Sequence, residues 1–453
     1  AMYQGGGGWP LNMFLTPELK PFSGGTYFPP HDKQGRAGFT TVLETIHSAW
    51  SEQGAEVLNS ADQIHKKMQR VFEQKEVVEG QLLVDDLNRA ANKLVAEADS
   101  QFGGWGGAPK FPQVSHLRYL LRHWHRTGDL QSRDHVLLTC NKMMEAGIHD
   151  QLAGGFHRYA VDERWMIPHF EKMLYDQAQL LELYLDVWLA TRDDRYRRVA
   201  EGIADYVTGE MQHHEGGFYS AQDAQSEGKE GKCFCWTLEQ MAKLLNEDEL
   251  VVAKEWFGVS EKGNFIDHSD PEPLEDLNVI HIAKPDWKLT DKQDQSLASA
   301  IRKMRKARDA RVPAATDRKV LADWNGMMVA SLARASHVLG QTSYLDAAVK
   351  AHAFVRAQLW DGELLYHRWC DGERDSSQQA SSYLQMMAGS LGLYQATLES
   401  HYLDFTVELA EGARKIFYDE LRGGFYVGAK RSDLVLRLKD DFDGATPTAS
   451  SVG

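Results

Sequence analysis

A mainly α-helical chain, built of helical hairpins that close into a toroid, is what the sequence predicts, and three observations predict it. Apolar residues recur at helical spacing through most of the 453 residues. Gly-Gly-Phe, at 154–156, 216–218 and 423–425, punctuates these patterns. The punctuation is periodic: 62 positions separate Gly154 from Gly216, and 62 separate Gly362 from Gly424. That period suits two helices of about four to five turns plus their loops.

The first element is the one clear β signal. Pro10–Pro17, a Glu18-Leu19-Lys20 turn and Pro21–Phe28 predict a hairpin. Helical stripes follow. Val42, Leu43, Ile46 and Trp50 form one, and Leu117, Leu120, Leu121 and Trp124 another. Val199, Ile203, Val207 and Met211 recur every four residues, and similar patterns cover 132–146, 175–191, 324–339, 343–359, 384–399 and 401–418. Each glycine pair stops a helix, and the aromatic after it starts an extended piece that packs back. Gly103-Gly104-Trp105 and Asp361-Gly362-Glu363-Leu364 are looser copies. Solenoid repeats usually run to about 34–47 residues, so the longer period and the irregular aromatic loops favour a closed α/α barrel with its loops at one mouth. Between 225 and 320, Gly263, Asn264, Pro271, Pro273 and Pro285 interrupt the rhythm and predict an inserted, partly irregular connector.

Composition excludes several functions. The formal charge is −15 and the pI about 5.6, which argues against nucleic acid or an anionic membrane as partner. The basic run Lys303–Arg311 lies on a helical pattern and is expected to be a solvated face. No apolar run reaches membrane-spanning length. Four cysteines (Cys140, Cys233, Cys235 and Cys370) are no disulfide framework, and Cys233 and Cys235 are expected as ordinary thiols at strand positions. A cytoplasmic or organelle-matrix setting fits. Both chain ends are expected to be cut. No cofactor is implied, and no metal: no His-x-x-x-His with a third ligand occurs, His213-His214 is isolated, and the glycine cluster before Trp9 leads into a strand rather than a helix.

The stretch from Asp150 to Leu181 is the most informative. A solvated loop is polar throughout, but here Phe156, Tyr159, Trp165, Ile167 and Phe170 interleave with His157, Arg158, Asp162, His169 and Glu171. Aromatics favour burial, and buried ionisable groups need partners or a ligand.

At this point the motifs carry a resemblance. GGGGWPLNMFLTPELKPFSGGTYFPP, GGWGGAPKFP, GGFHRYAVDERWMIPHFEKMLYDQAQL, GGFYSAQDAQSEGKEG, LADWNGMM and DFDGATPTAS are similar to those of the spermatogenesis-associated family that carries a thioredoxin-like domain. The resemblance implies a partial thioredoxin-like domain over 1–78. It also implies an (α/α)6 six-hairpin toroid over 79–453, of the glycosidase and N-acylglucosamine-epimerase type. The chain departs from the family pattern in four places. The Cys-x-x-Cys expected upstream of Trp9-Pro10 is missing, so dithiol exchange is not expected of this chain. Asp223-Ala224-Gln225 stands for Asp-Ala-Asp, and Ser381-Ser382-Tyr383 lacks an acid. The sixth hairpin is expected to follow Asp443-Gly444-Ala445.

Sugar chemistry needs proton-exchanging groups and flat surfaces against a ring. The catalytic candidates are His169, Glu171, Asp176, Asp223 and His157. Glu171 with Tyr175 and Lys172 with Asp176 are spaced as helical neighbours, and His169 is expected near a helix N-terminus that depresses its pKa. Trp105, Lys110, Phe111, Asp150, Arg158, Tyr159, Trp165, Trp324, Asn325 and Asp443 are the substrate-binding candidates. Lys110 and Arg158 are expected together as an anion or hydroxyl clamp. The function expected is sugar-like ligand binding at the toroid mouth, with hydrolase and epimerase or isomerase chemistry both open. The alternatives are a redox or quality-control protein, in which the toroid is a binding platform and the thioredoxin-like part meets a protein partner, and a non-catalytic scaffold.

Overall fold

A computed structural model describes residues 11–33, 35–73, 83–268 and 270–453. The chain divides into two compact units, residues 1–81 with 419–439, and residues 82–418 with 440–453. In the first unit, β1 (Asn12–Leu15) and β2 (Pro21–Gly25) form the expected antiparallel hairpin. Trp9 and Pro10 lie outside the described residues. Two helices follow, α1 (Phe39–Glu52) and α2 (Gly54–Glu73), with Lys20 paired to Asp62 and Phe22 set 5.8 Å from Trp50. No residue of α1 is fully buried, since the described part of this unit offers its apolar stripe little to pack on.

The second unit is a succession of helical hairpins. After α3 (Val84–Ala96) come α4 (Val114–Thr127) with α5 (Leu130–Glu145), and α6 (Leu174–Thr191) with α7 (Asp194–Tyr206). Three further helices, α8 (Leu238–Leu244), α9 (Glu247–Phe257) and α10 (Asp291–Asp309), fill the expected connector. Then follow α11 (Ala322–Leu339) with α12 (Thr342–Leu359), α13 (Ala380–Thr397) with α14 (Ser400–Phe417), and the short α15 (Ala449–Val452). Helices α4, α6, α11 and α13 touch in that order, and each pairs with its own second helix. Burial explains the two roles: α6 and α11 are buried nearly all round, whereas α7 and α14 bury one stripe. Helices α11 and α13 approach through glycines, where a Cβ on Gly326 would come within 2.4 Å of the Gln385 backbone. The fold is thus mainly α, a toroid of helical hairpins, as the punctuation predicts. The helical stripe at Val207–Met211 ends in a single π turn. Among the described residues no helix is long and apolar enough to cross a membrane.

The insertion is more ordered than its prolines suggest. Thr237, Asn246 and Thr290 each cap a helix through a capping box, and Trp236, Met241, Phe257, Leu297 and Met304 build a core of their own. Cys233 lies in a turn and Cys235 just beyond it, rather than in strands, and Arg311 gathers their carbonyl oxygens at 2.9 and 2.7 Å.

One device recurs after the hairpins. The backbone N–H groups of Asp99, Asp150 and Asp419 donate to Gly104, Gly155 and Gly424 at 2.9–3.0 Å, and each aspartate side chain accepts from N–H groups two and three residues on. Lys110, Lys172 and Lys439 pair with these same three carboxylates. His213 holds the corresponding place before Gly217, with Nδ1 accepting from the Glu215 N–H at 3.1 Å. The following inner helix then clamps the extended residue. Gln177 bonds both backbone groups of Phe156 (2.8 and 2.6 Å), and Asn325 both of Phe218 (2.8 and 3.0 Å). The Tyr383 hydroxyl accepts from the Leu365 N–H at 2.8 Å. The Gly-Gly-aromatic repeat is therefore a backbone-satisfying unit.

Candidate functional site

The loop between α5 and α6 carries two groups of charges. In the first, Asp150 receives the Lys172 amino group at 2.7 Å and the Arg308 guanidinium at 2.7 and 2.8 Å. Burial opposes ionisation of Asp150, yet Arg308 and Lys172 hold it well below the usual carboxylate range. His157 lies in the same interior. Its Nδ1 contacts the Phe170 carbonyl at 3.0 Å, and burial pushes its imidazole down to about 3.

The second group surrounds a cavity of about 260 Å³ where α4 and α6 begin. Phe111, His116, Arg158, Tyr175, Asp176 and Gln179 line it, and the segment Phe442–Ala445 covers it. Gln179 secures that cover by donating to the Ala445 carbonyl at 2.7 Å. Asp176, in the first turn of α6, is buried. Burial pushes its pKa well above the carboxylate range, against the pull of Arg158. Burial thus favours its protonated form, and its Oδ2 has no hydrogen-bond partner among the described residues. The Arg158 Nε is likewise buried and unpartnered. Two such atoms at one cavity call for a polar occupant.

Next to them runs a charged chain. Arg158 Nη1 donates to Glu171 Oε2 at 2.9 Å, that oxygen faces His169 Nε2 at 3.2 Å, and His169 Nδ1 meets Glu230 Oε1 at 2.8 Å. The hydrogen bond that His169 donates to Glu230 raises the His169 pKa, against burial and with help from the charges of Glu230 and Glu171. Tyr159 stacks on His169 with centroids 4.9 Å apart, and Phe111 leans on Tyr159 at 4.8 Å. Burial lowers the His116 pKa while Asp443 opposes the shift.

The structure thus brings Phe111, Arg158, Tyr159, His169, Glu171, Asp176 and Asp443 together. It corrects several expectations. Helix α6 begins at Leu174, because Lys172–Met173 is extended and paired with Ala221–Gln222. Glu171 and Lys172 therefore precede the helix, and Lys172 serves Asp150 rather than Asp176. His169 is not at a helix end, and its pKa rises instead of falling because two carboxylates flank it. Lys110 is not with Arg158; it is fully buried, donating to Asp99 and, at 3.1 Å, to the Glu163 carbonyl. Asp150, His157 and Asn325 belong to the frame. Trp105 and Trp165 are core, donating to the carbonyls of Leu94 (2.8 Å) and Phe102 (2.9 Å). Trp324 packs edge-on to Tyr175 at 4.7 Å and does not line the cavity. Asp223 is an exposed turn residue whose Oδ1 accepts from the Gln225 N–H at 3.1 Å.

Sequence reasoning missed His116, Gln179 and Glu230. Gln179 lies one turn beyond Tyr175, which a helical reading can find; Glu230, 61 positions from His169, leaves no local signal. It also missed that Asp323 in Leu-Ala-Asp matches Asp176 in Leu-Tyr-Asp one hairpin on. Asp323 is satisfied, accepting from the Trp324 N–H at 2.9 Å and the Ser381 hydroxyl at 3.0 Å. The three-residue group His213, His214 and Glu215 has atoms close enough to hold a metal, but His213 is already engaged as the loop cap.

The chain is similar to several known proteins. The model of a thioredoxin-like family of the DsbH type, described as a protein of unknown function, DUF255, matches residues 1–69. Spermatogenesis-associated protein 20 of Homo sapiens is 35% identical over 99% of this chain and 62% of its own length. An uncharacterized protein of Caenorhabditis elegans is 33% identical over 99% of this chain and 66% of its own. The chain spans less than two thirds of the length of these relatives. Among solved structures, a GH76 alpha-mannanase from Bacteroides thetaiotaomicron is 11% identical, with 77% of this chain and 75% of that one covered and a TM-score of 0.47. A sugar epimerase from a ruminal bacterium is 13% identical, with 82% and 94% covered and a TM-score of 0.35.

Proposed function

This chain is a homologue of spermatogenesis-associated protein 20, with a thioredoxin-like segment ahead of a helical-hairpin toroid, and from that premise we propose that it binds a small sugar-like ligand in the cavity around Asp176. One observation carries the reading: Asp176 and Arg158 line a single cavity, and each has a buried atom, Oδ2 and Nε, without a hydrogen-bond partner among the described residues. A neutral carboxyl both donates and accepts, and a guanidinium donates. That pair suits adjacent hydroxyl groups, while Phe111 offers a ring face. At about 260 Å³ the cavity is slightly smaller than usual ligand sites, about 300–1,000 Å³, so one sugar ring fits better than an oligosaccharide. Asp176, whose burial favours the protonated form, is the proton donor of the reading. His169, held between Glu171 and Glu230, orients the charged wall. Hydrolysis and epimerisation or isomerisation both remain compatible with one acid and a flanking ion chain.

Calorimetric titration with a panel of mono- and disaccharides tests it. Saturable binding by at least one sugar, lost in Asp176→Asn and Arg158→Met, is expected. Absence of saturable binding across the panel would overturn the reading. The free thiols of Cys140, Cys233, Cys235 and Cys370 favour a reducing compartment, cytoplasm or organelle matrix. The thioredoxin-like match over residues 1–69 favours a second reading, a redox or quality-control protein that engages a protein partner through that part. Disulfide reduction by the longer homologue but not by this chain is its expected signature.

A further inference from the structure

A different cavity, of about 450 Å³, lies between α7 and the inserted helices α9 and α10, and it shares no lining residue with the one at Asp176. Its floor is apolar, formed by Trp256 of α9 and by Leu297 and Ile301 of α10. Cations stand at its rim. Helical spacing puts Arg195 and Arg198 on one face of α7, and Arg305 one turn beyond Ile301 on α10.

The acids at this rim are already engaged. Arg195 is shared between Asp193 at 2.8 Å and Glu145 at 3.9 Å, and Asp205 accepts from the Tyr344 hydroxyl at 2.8 Å. Arg198 and Arg305 have no ion pair or hydrogen bond among the described residues. His149, which also lines the cavity, is half-buried, with its Nδ1 on the Met144 carbonyl at 3.2 Å. Burial pushes its pKa down to about 4, so it is neutral, and its Nε2 acceptor has no hydrogen-bond partner among the described residues. Two guanidinium groups without a direct ion-pair or hydrogen-bond partner among the described residues, over an apolar floor, define a chemistry.

We propose that this cavity binds a small organic anion with an apolar body: a carboxylate on an aromatic or branched hydrocarbon frame, its charge between Arg198 and Arg305 and its body on Trp256, Leu297 and Ile301. The site is independent of the sugar reading. A ligand here bridges the inserted helices to the hairpin ring, so binding stabilises that junction.

The probe is 1-naphthoate, titrated into the chain by calorimetry, with uncharged 1-naphthamide as comparison. Saturable one-to-one binding of naphthoate is expected, with naphthamide at least tenfold weaker. Arg198→Glu with Arg305→Glu weakens naphthoate at least tenfold, and Ile301→Trp, which fills the floor, abolishes binding at an unchanged melting temperature. Asp176→Asn leaves naphthoate binding as it was, which separates this site from the sugar reading. Non-saturable uptake, equal affinity for the amide, indifference to the double charge reversal or loss in Asp176→Asn would each overturn the proposal. Should Ile301→Trp fail to fold, the exposed Arg198 and the rim Arg305 still decide it.

Discussion

Asp150 and Asp176 belong to the same loop-to-helix region, both are buried aspartates, and they have opposite fates. Asp150 has two cations, two backbone N–H donors and a pKa driven down. Asp176 has an orphaned oxygen, one opposing charge and a pKa driven up. Burial alone does not set the fate of an acid; the number of partners does. Asp150 finishes with both oxygens engaged, and Asp176 keeps one without a partner among the described residues.

The largest effect expected from this contrast is in Asp150→Ala. Removal of the carboxylate leaves Lys172 and Arg308 buried side by side, and breaking a buried ion pair in this way costs about 3–5 kcal/mol. Urea unfolding should show the midpoint fall with the slope unchanged. The same experiment on Asp176→Asn should show a loss close to zero or a small gain, because no protein partner is removed. Equal destabilisation by the two would break the comparison.

Next in size is the clamp. Asn325→Ala strips a buried carbonyl and N–H of Phe218 of their partners, which costs about 1–3 kcal/mol per unsatisfied group. Gln177→Ala should do the same at Phe156, one hairpin earlier. The two losses, measured by denaturant melts, should be similar in size, since the device is the same. Neither should change binding at the Asp176 cavity beyond what lost stability explains.

The pH dependence sharpens the contrast further. The Asp176 pKa is raised by burial from an ordinary 3.8. Below that value folded and unfolded chains both hold the proton, and the residue is neutral towards stability. Above it the unfolded chain releases the proton while the folded one keeps it, so stability declines as pH rises towards the folded pKa. His169, raised above 6.5 by Glu230, contributes stability that is full below 6.5 and lost as pH rises through its folded value. Asp176→Asn should therefore gain on the wild type progressively above pH 3.8. His169→Gln should lose most below pH 6.5 and approach the wild type above it. Unfolding free energies measured from pH 4 to 9 resolve the two windows.

The fold was legible because its signals are local. Gly-Gly-aromatic stops, helical stripes and the Asn12–Gly25 hairpin need only neighbours in sequence. The insertion was less legible, since Thr237, Asn246 and Thr290 are good caps hidden among prolines and glycines. The site was half legible. The loop's mixture of aromatics and charges pointed to Arg158, His169, Glu171 and Asp176, but which charges pair is decided by distant residues. Lys172 lies next to Glu171, yet its partner is 22 positions back, and Arg308 comes from 158 positions away to seal the same carboxylate. Nothing local in Lys110 tells that Asp99 already holds it.

Asp223 provides the smallest effect and the cleanest control. By repeat position it looked like a second carboxylate for the mouth. In the structure its side chain accepts one backbone hydrogen bond in an exposed turn, and its N–H donates to the Ala315 carbonyl at 2.7 Å whatever the side chain. Asparagine supplies the same acceptor to the Gln225 N–H. Asp223→Asn should therefore shift stability by no more than about 0.5 kcal/mol and leave sugar affinity where it was, in paired calorimetric titrations with Asp176→Asn. A drop in affinity from Asp223→Asn would mean that the catalytic pair spans two hairpins, and the orphan at Asp176 would no longer be the acid that matters.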